Sequence, residues 1–191
     1  GLAHSDLSPK NVLIDPTSGR CTIIDIDSLV VPDVYPPDVL GTRNYMAPEV
    51  IKTCHLPPDD PKKKTPRIHT DQHALATLIY QYLFLRHPLQ GPKVHAAKTA
   101  EEQEILEMGA KALFIEHPTD RSNRPKSLSV PFSALGPFLG DLFLRAFVDG
   151  LHSPDARPTA GEWEKALYRT WDLLVPCPGS GCSHKWMILY D

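Results

Sequence analysis

Cysteine is scarce in this chain: four in 191 residues, at positions 21, 54, 177 and 182. Four thiols spaced this way do not form a disulfide framework, so a reducing, cytoplasmic location is expected. Long hydrophobic runs are missing as well. The most apolar stretch, 74–85, is interrupted by Gln81 and is too short to cross a bilayer, so no membrane partner is expected. Positive charge is not in surplus: 20 Lys and Arg face 23 Asp and Glu, a net charge of −3. That excludes a strongly basic nucleic-acid binder, because neutralising phosphates needs clustered cations. Glycine is also sparse, at 11 residues, and no Gly-rich phosphate-cradling loop is found.

Proline is what the chain has in quantity. Its 20 prolines are about twice the average share and cluster at 32–37, 57–66, 118–137 and 176–178. They read as stiff surface loops on one domain, and the length is sufficient for a proper core. The one basic cluster, Lys62-Lys63-Lys64 with Arg67, lies beside Asp59 and Asp60. It reads as a solvated loop or as a docking patch.

The apolar runs 12–15 and 21–25 flank Pro16-Thr17-Ser18-Gly19-Arg20 and read as a β-hairpin, with Gly19 at positive φ. Pro48 suits a helix start, with the helix running to about Thr53. A longer helix is expected over 70–86, capped by Thr70 or Asp71. One face carries Leu75, Leu78, Ile79 and Tyr82, the other Ala74, Ala76, Tyr80 and Phe84, so it should be buried all round. Thr99-Ala100-Glu101-Glu102 is a capping box opening a helix to about Ile115. A polar, Pro-rich insertion over 117–135 follows, then a helix over 138–148. A second capping box, Thr159 to Glu162, opens a last helix with Trp163, Ala166, Leu167, Thr170, Trp171 and Leu174 at helical spacing.

The chemistry concentrates near the amino terminus, in His4-Ser5-Asp6-Leu7-Ser8-Pro9-Lys10-Asn11 before the apolar run. Asp6 can accept a proton from an attacking hydroxyl. Asn11 can ligate a hard cation through its amide oxygen, and Lys10 can neutralise a phosphate. This stretch resembles the H-R-D-L-x-x-x-N catalytic loop of the eukaryotic-like Ser/Thr protein kinases, with Ser5 where the family has Arg. Asp25-Ile26-Asp27, 19 residues after Asp6, is similar to the family's D-F-G, with Asp27 in place of Gly. Gly41-Thr42-Arg43-Asn44-Tyr45-Met46-Ala47-Pro48-Glu49 is similar to the G-T-x-x-Y-x-A-P-E that closes the activation segment. Asp71 matches the aspartate that opens the family's central helix. Arg157-Pro158-Thr159 resembles the turn before its last helix.

The resemblance covers residues 1–174. It implies a mainly α (α+β) protein-kinase-like C-terminal lobe, helical, with a short β-hairpin carrying the catalytic and metal-binding loops. The implied activity is ATP-dependent phosphoryl transfer to Ser or Thr hydroxyls of a protein substrate, with ATP and Mg²⁺ as cofactors. The implied roles are Asp6 as base, Lys10 on the γ-phosphate and Thr42 shaping the substrate floor. Asn11 and Asp25 would hold Mg²⁺, and Leu13 would lie under adenine. Glu49 and Arg157 would form a buried ion pair, and Asp71 would hold the catalytic loop. The family's amino-terminal lobe is expected from the same longer chain. Ser5 removes the arginine that holds a phosphorylated activation loop, so activity independent of that phosphorylation is expected. Asp27 keeps a non-catalytic, pseudokinase-type scaffold as the alternative. The tail, 175–191, reads separately. Cys177, Cys182 and His184 are half of a tetrahedral Zn²⁺ site, the possible start of a zinc-ribbon-like module, or an unliganded turn.

Overall fold

The computed structural model describes residues 2–31, 34, 40–181, 183 and 185–190. The chain opens with the catalytic-type loop and an antiparallel pair, β1 (Val12–Ile14) and β2 (Cys21–Ile23), in register Val12 to Ile23 and Ile14 to Cys21. Gly19 turns the connection at φ 70° and donates to the carbonyl of Asp15 (2.8 Å). Helices follow: α1 (Pro48–Thr53), α2 (Ile68–Phe84), α3 (Pro92–His95), α4 (Ala100–Glu107), α5 (Gly136–Leu144) and α6 (Ala160–Asp172). A second antiparallel pair, β3 (Leu174–Pro176) with β4 (Trp186–Ile188), closes the chain. Among the described residues no helix is long and apolar enough to cross a membrane.

The core is aromatic. Tyr80 of α2 meets Phe143 edge-on at 5.3 Å, Phe114 and Phe147 stack at 5.2 Å, and Trp163 of α6 lies 5.1 Å from Phe143. Edge and offset contacts of this kind add about 0.5–1.5 kcal/mol per pair beyond the area they bury.

Helix α2 starts two residues before the expected position. Arg67 is its N-cap, and Thr70 reaches back from the first turn, its Oγ1 accepting from the Arg67 N–H (2.9 Å). Asp71 therefore does not cap, and both its oxygens are available to other elements. Nor is α2 buried all round. His73, Ala74, Ala76, Thr77 and Tyr80 face inward, while Tyr82 is 72% exposed. Tyr82, on the outer side, scores as apolar in a sequence but tolerates water through its hydroxyl.

Helix α4 ends at Glu107, not near Ile115. The backbone unwinds through Gly109, and the N–H of Ile115 bonds to the carbonyl of Pro88 (2.9 Å). Phe114 and Ile115 are fully buried, so their apolar signal belongs to a core-filling strap. The insertion after it is polar yet firmly held. The carboxylate of buried Glu116 accepts from the Tyr80 hydroxyl, from Arg86 Nη2 (2.8 Å) and from the Phe132 N–H (3.1 Å). Buried Asn123 donates to the carbonyls of Leu89 (2.9 Å) and Leu113 (2.8 Å).

On α6 the capping box forms, with the Thr159 N–H donating to Glu162 Oε2 (2.8 Å). Trp163, Ala166 and Thr170 are buried, but Trp171 is exposed and Leu167 partly so, against the expected inner face. The tail folds back on the body. The Leu189 N–H bonds to the Leu173 carbonyl (2.9 Å), and the Tyr190 hydroxyl donates to the Ser133 carbonyl (3.2 Å).

Two buried histidines make stability pH-dependent. His73, packed edge-on to Phe147, has no hydrogen-bond partner for either ring nitrogen among the described residues. Burial holds its pKa well below the ordinary value, with Arg157, His87 and His152 adding positive charge nearby. His87 accepts the Leu89 N–H at Nδ1 (3.1 Å), so its Nε2–H donates to the Asn44 carbonyl (2.9 Å). Burial lowers its pKa too, opposed by the Asn44 carbonyl and the charge of Glu107. Below the unfolded pKa of about 6.5 the unfolded chain binds the extra protons, so stability falls as pH drops. The expected loss is about 1.4 kcal/mol per pH unit per histidine until the folded group itself titrates. Denaturant titrations at pH 7, 6 and 5 measure it, and His73→Leu should flatten the slope.

Candidate active site

Asp71 on α2 is where the site begins. Its carboxylate accepts the backbone N–H groups of His4 (2.6 Å) and Ser5 (3.2 Å), fixing the loop that carries Asp6 to the buried helix. Burial pushes its pKa up, while the His4 and Ser5 N–H groups and the charge of His4 pull the other way. Ser5 sits at φ 64°, a left-handed conformation that swings the chain toward Asp6.

Both oxygens of Asp6 are held. Oδ1 accepts the backbone N–H of Thr42 (2.5 Å), and Oδ2 accepts Asn11 Nδ2 (3.2 Å), which also donates to the Asp6 carbonyl (2.8 Å). A carboxylate oxygen has two lone pairs, so each keeps one for a substrate hydroxyl. Thr42 holds Asp6 through its main chain. A threonine side chain is thus not required for that bond, and Thr42→Ala should leave it in place. Gly41 makes the approach feasible: it is at φ 115°, and an added Cβ would lie 2.9 Å from the Ser5 carbonyl oxygen. A hollow lies between Asp6 and the 40–47 segment, over Thr70, Asp71 and Ala74.

Asn11 is buried, and with its amide nitrogen engaged by Asp6, its Oδ1 is left as a free acceptor among the described residues. Asp25 lies alongside, because the Ile24 N–H bonds to the Asn11 carbonyl (2.9 Å). Asp25 is at φ 61°, and its exposed carboxylate has no hydrogen bond or ion pair among the described residues. An open amide oxygen on a largely buried asparagine and a free carboxylate on adjoining backbones suit a hard divalent cation such as Mg²⁺. Lys10 is exposed on the 3₁₀ turn Pro9–Asn11, and Leu13 is 55% exposed on β1.

Away from the loop, the structure brings Glu49 and Arg157 together. Arg157 Nη1 and Nη2 donate to the two Glu49 oxygens at 2.7 and 2.8 Å, across 108 residues of chain. The zinc expectation falls on Cys177, Cys182 and His184, of which the last two lie outside the described residues. Among the described residues no cluster of three His, Cys, Asp or Glu can hold a metal. No local pattern signals that His4 reaches the Ile24 carbonyl and Ser5 the Ser28 carbonyl, on either side of Asp25; at position 5 the motif marks only the missing arginine.

The profile of the protein kinase domain matches residues 1–165. Among curated proteins, the dual specificity protein kinase TTK of Mus musculus is 29% identical over 187 residues, 82% of this chain and 21% of that protein. Calcium-dependent protein kinase 4 of Arabidopsis thaliana is 38% identical over 64 residues, 31% of this chain and 13% of its own. The solved structure of the Cydia pomonella granulovirus kinase PK-1 superposes with a TM-score of 0.52 at 16% identity, over 86% of this chain and 49% of that one. The chain thus spans about a fifth of the mouse kinase's length and about half of the viral one. With a family match running from the loop of Asp6 into α6, and a fold shared with a solved kinase, the chain belongs to the protein kinase domain family.

Proposed function

We propose that this chain is the C-terminal lobe of an ATP-dependent protein kinase acting on serine and threonine hydroxyls. The observation that carries the reading is Asp6, gripped at one oxygen by Asn11 and at the other by the Thr42 N–H. A carboxylate locked this way is aimed before substrate arrives, which is where a phosphoryl-transfer site gains most. Asp6 orients the acceptor hydroxyl and takes its proton. Lys10 lies on the same turn as Asn11 and meets the transferring phosphate. Asn11 and Asp25 hold Mg²⁺, which supplies the charge that screens the phosphates. Leu13 lies under the adenine.

A second lobe is part of the proposal. Around the hairpin, Leu13, Ile14, Ile23 and Ile26 are 55, 43, 53 and 63% exposed, and water is an unfavourable neighbour for four such side chains together. Residues 1–174 form the lobe and 175–191 a tail appended to it, and four widely spaced cysteines suit a reducing, cytoplasmic setting.

The test is transfer of labelled phosphate from ATP to protein substrates by the full-length protein, with Asp6→Asn as the control. Transfer abolished by that change supports the reading; equal signal from both proteins removes it. Asp27, at the place of the usual glycine, favours the scaffold reading, under which no label moves. With Ser5 in place of arginine, phosphatase treatment should change the rate by less than about twofold. A collapse after dephosphorylation would count against that independence.

A further inference from the structure

We propose that Ser5 is a positioning residue for Asp25. The inference rests on reading Asp25 as the carboxylate that holds the cation.

The turn after β2 runs from Asp25, at φ 61°, into the 3₁₀ turn Ile26–Ser28. Its internal bonds are a 3.4 Å contact from the Ser28 N–H to the Asp25 carbonyl, a 2.9 Å bond from Ser28 Oγ to the same oxygen and a 3.1 Å bond from the Leu29 N–H to the Ile26 carbonyl. Its residues are mostly exposed, and no side chain of Ile26 or Asp27 is buried to anchor it. Left to itself, a turn this small and wet is drawn from the low end of local stability.

It is clamped from outside. Ser5 Oγ donates to the Ser28 carbonyl at 2.6 Å, on the far side of Asp25. The His4 ring Nε2 meets the Ile24 carbonyl at 3.0 Å, on the near side. One bond grips the residue before Asp25 and the other the third residue after it; a longer contact between His4 Nδ1 and Ser28 Oγ (3.4 Å) and the backbone bridge of Ala3 with Val30 flank them. Behind both clamps stands Asp71, through the N–H groups of His4 and Ser5. Each route from α2 to the Asp25 turn is therefore two hydrogen bonds long, with His4 the middle link to Ile24 and Ser5 the middle link to Ser28.

Ser5 also meets the other end of the segment. Its carbonyl oxygen is the atom that an added Cβ at Gly41 would strike, one residue before the Thr42 N–H that holds Asp6. One small residue thus lies between the metal-side turn and the segment that holds Asp6. A short side chain is needed for this. Ser5 is 9% exposed, and its hydroxyl reaches the Ser28 carbonyl directly. All the bonds involved are neutral or reach a fixed carboxylate, so the turn is held without an added charge.

The experiment uses the full-length protein and two variants, Ser5→Ala and Ser5→Gly. Both lose the hydroxyl, and glycine adopts φ 64° without strain, so agreement between them assigns the effect to the hydrogen bond rather than to the backbone. Amide hydrogen exchange over 24–30 should quicken by roughly 3- to 10-fold in both, the size of one lost hydrogen bond, with α5 and α6 unchanged. Half-saturating Mg²⁺ for nucleotide binding, measured by calorimetry, should rise by a similar factor of roughly 3- to 10-fold. Unchanged exchange over 24–30, or faster exchange everywhere alike, overturns the inference. So does faster local exchange with unaltered Mg²⁺ dependence in a protein that binds Mg²⁺ and nucleotide. Failure of the kinase reading shows elsewhere, as a wild type no more active than Asp6→Asn, and the exchange result still decides whether Ser5 holds the turn.

Discussion

Asp6→Asn is expected to lower the rate of phosphoryl transfer by about 100- to 10,000-fold, the usual worth of a positioned general base. The fold should survive the change. Asparagine keeps an oxygen that accepts the Thr42 N–H, so the contact at 2.5 Å has a successor. The other position becomes an amide nitrogen facing Asn11 Nδ2, and two donors cannot bond. One weak bond, at 3.2 Å, is lost, and the stability cost should stay near 1 kcal/mol. Rate and melting curve measured on the same preparation separate chemistry from folding. A variant that transfers phosphate at the wild-type rate would show that Asp6 takes no proton. Substrate affinity should move little, because the hydroxyl still finds an oxygen acceptor.

Glu49→Ala should cost about 3–5 kcal/mol of folding stability, because the charge left behind is buried. The Arg157 side chain is 1% exposed and all five of its N–H donors are used. Two go to Glu49, one to the His69 carbonyl (2.8 Å), one to the Gly150 carbonyl (2.8 Å) and one to the Leu151 carbonyl (3.1 Å). Carbonyls solvate a guanidinium but do not cancel its charge. The Glu49 side chain is 21% exposed, so water can enter the space it vacates, which places the loss toward the lower end. A domain stable by about 5–15 kcal/mol would still lose a large share. Glu49→Gln, which keeps the shape and one acceptor, should cost less. Urea unfolding of the three proteins gives the order: wild type, Gln, Ala. If alanine proves as stable as wild type, the pair is not a structural anchor. The loss would reach the active site as well. Helix α1, which carries Glu49, follows directly on the segment whose Thr42 N–H holds Asp6.

Much of this was legible in the residues, and for a local reason. Asp6, Asn11 and Asp25 carry chemistry in their side chains, and short-range spacing places them on one loop and one strand end. Helix α6 announced its start because a capping box is complete within four residues. Gly19 turned as expected because a positive φ is a property of one residue. Glu49 and Arg157 were paired from their motifs, not from any periodicity, since nothing within 108 residues of intervening chain specifies a contact.

What failed to show did so where long-range packing overrode a local pattern. The apolar run through Ile115 looked like the end of a helix, but Phe114 and Ile115 are claimed by the aromatic core, which pulls the backbone straight after Gly109. Tyr82 and Trp171 counted as inward by spacing and lie outward, because only neighbours on other elements decide which side of a helix is covered.

By itself, then, the sequence determined which atoms this protein can offer to a phosphate, a cation and a hydroxyl, since donor sets belong to residue types. Tertiary structure alone decided how they are held: that Thr42 grips Asp6 by its backbone, that Asp71 holds the loop of Asp6 instead of capping its own helix, and that Ser5 reaches Ser28. Those bonds join residues 23 to 67 positions apart, and such distances close only when the helices pack.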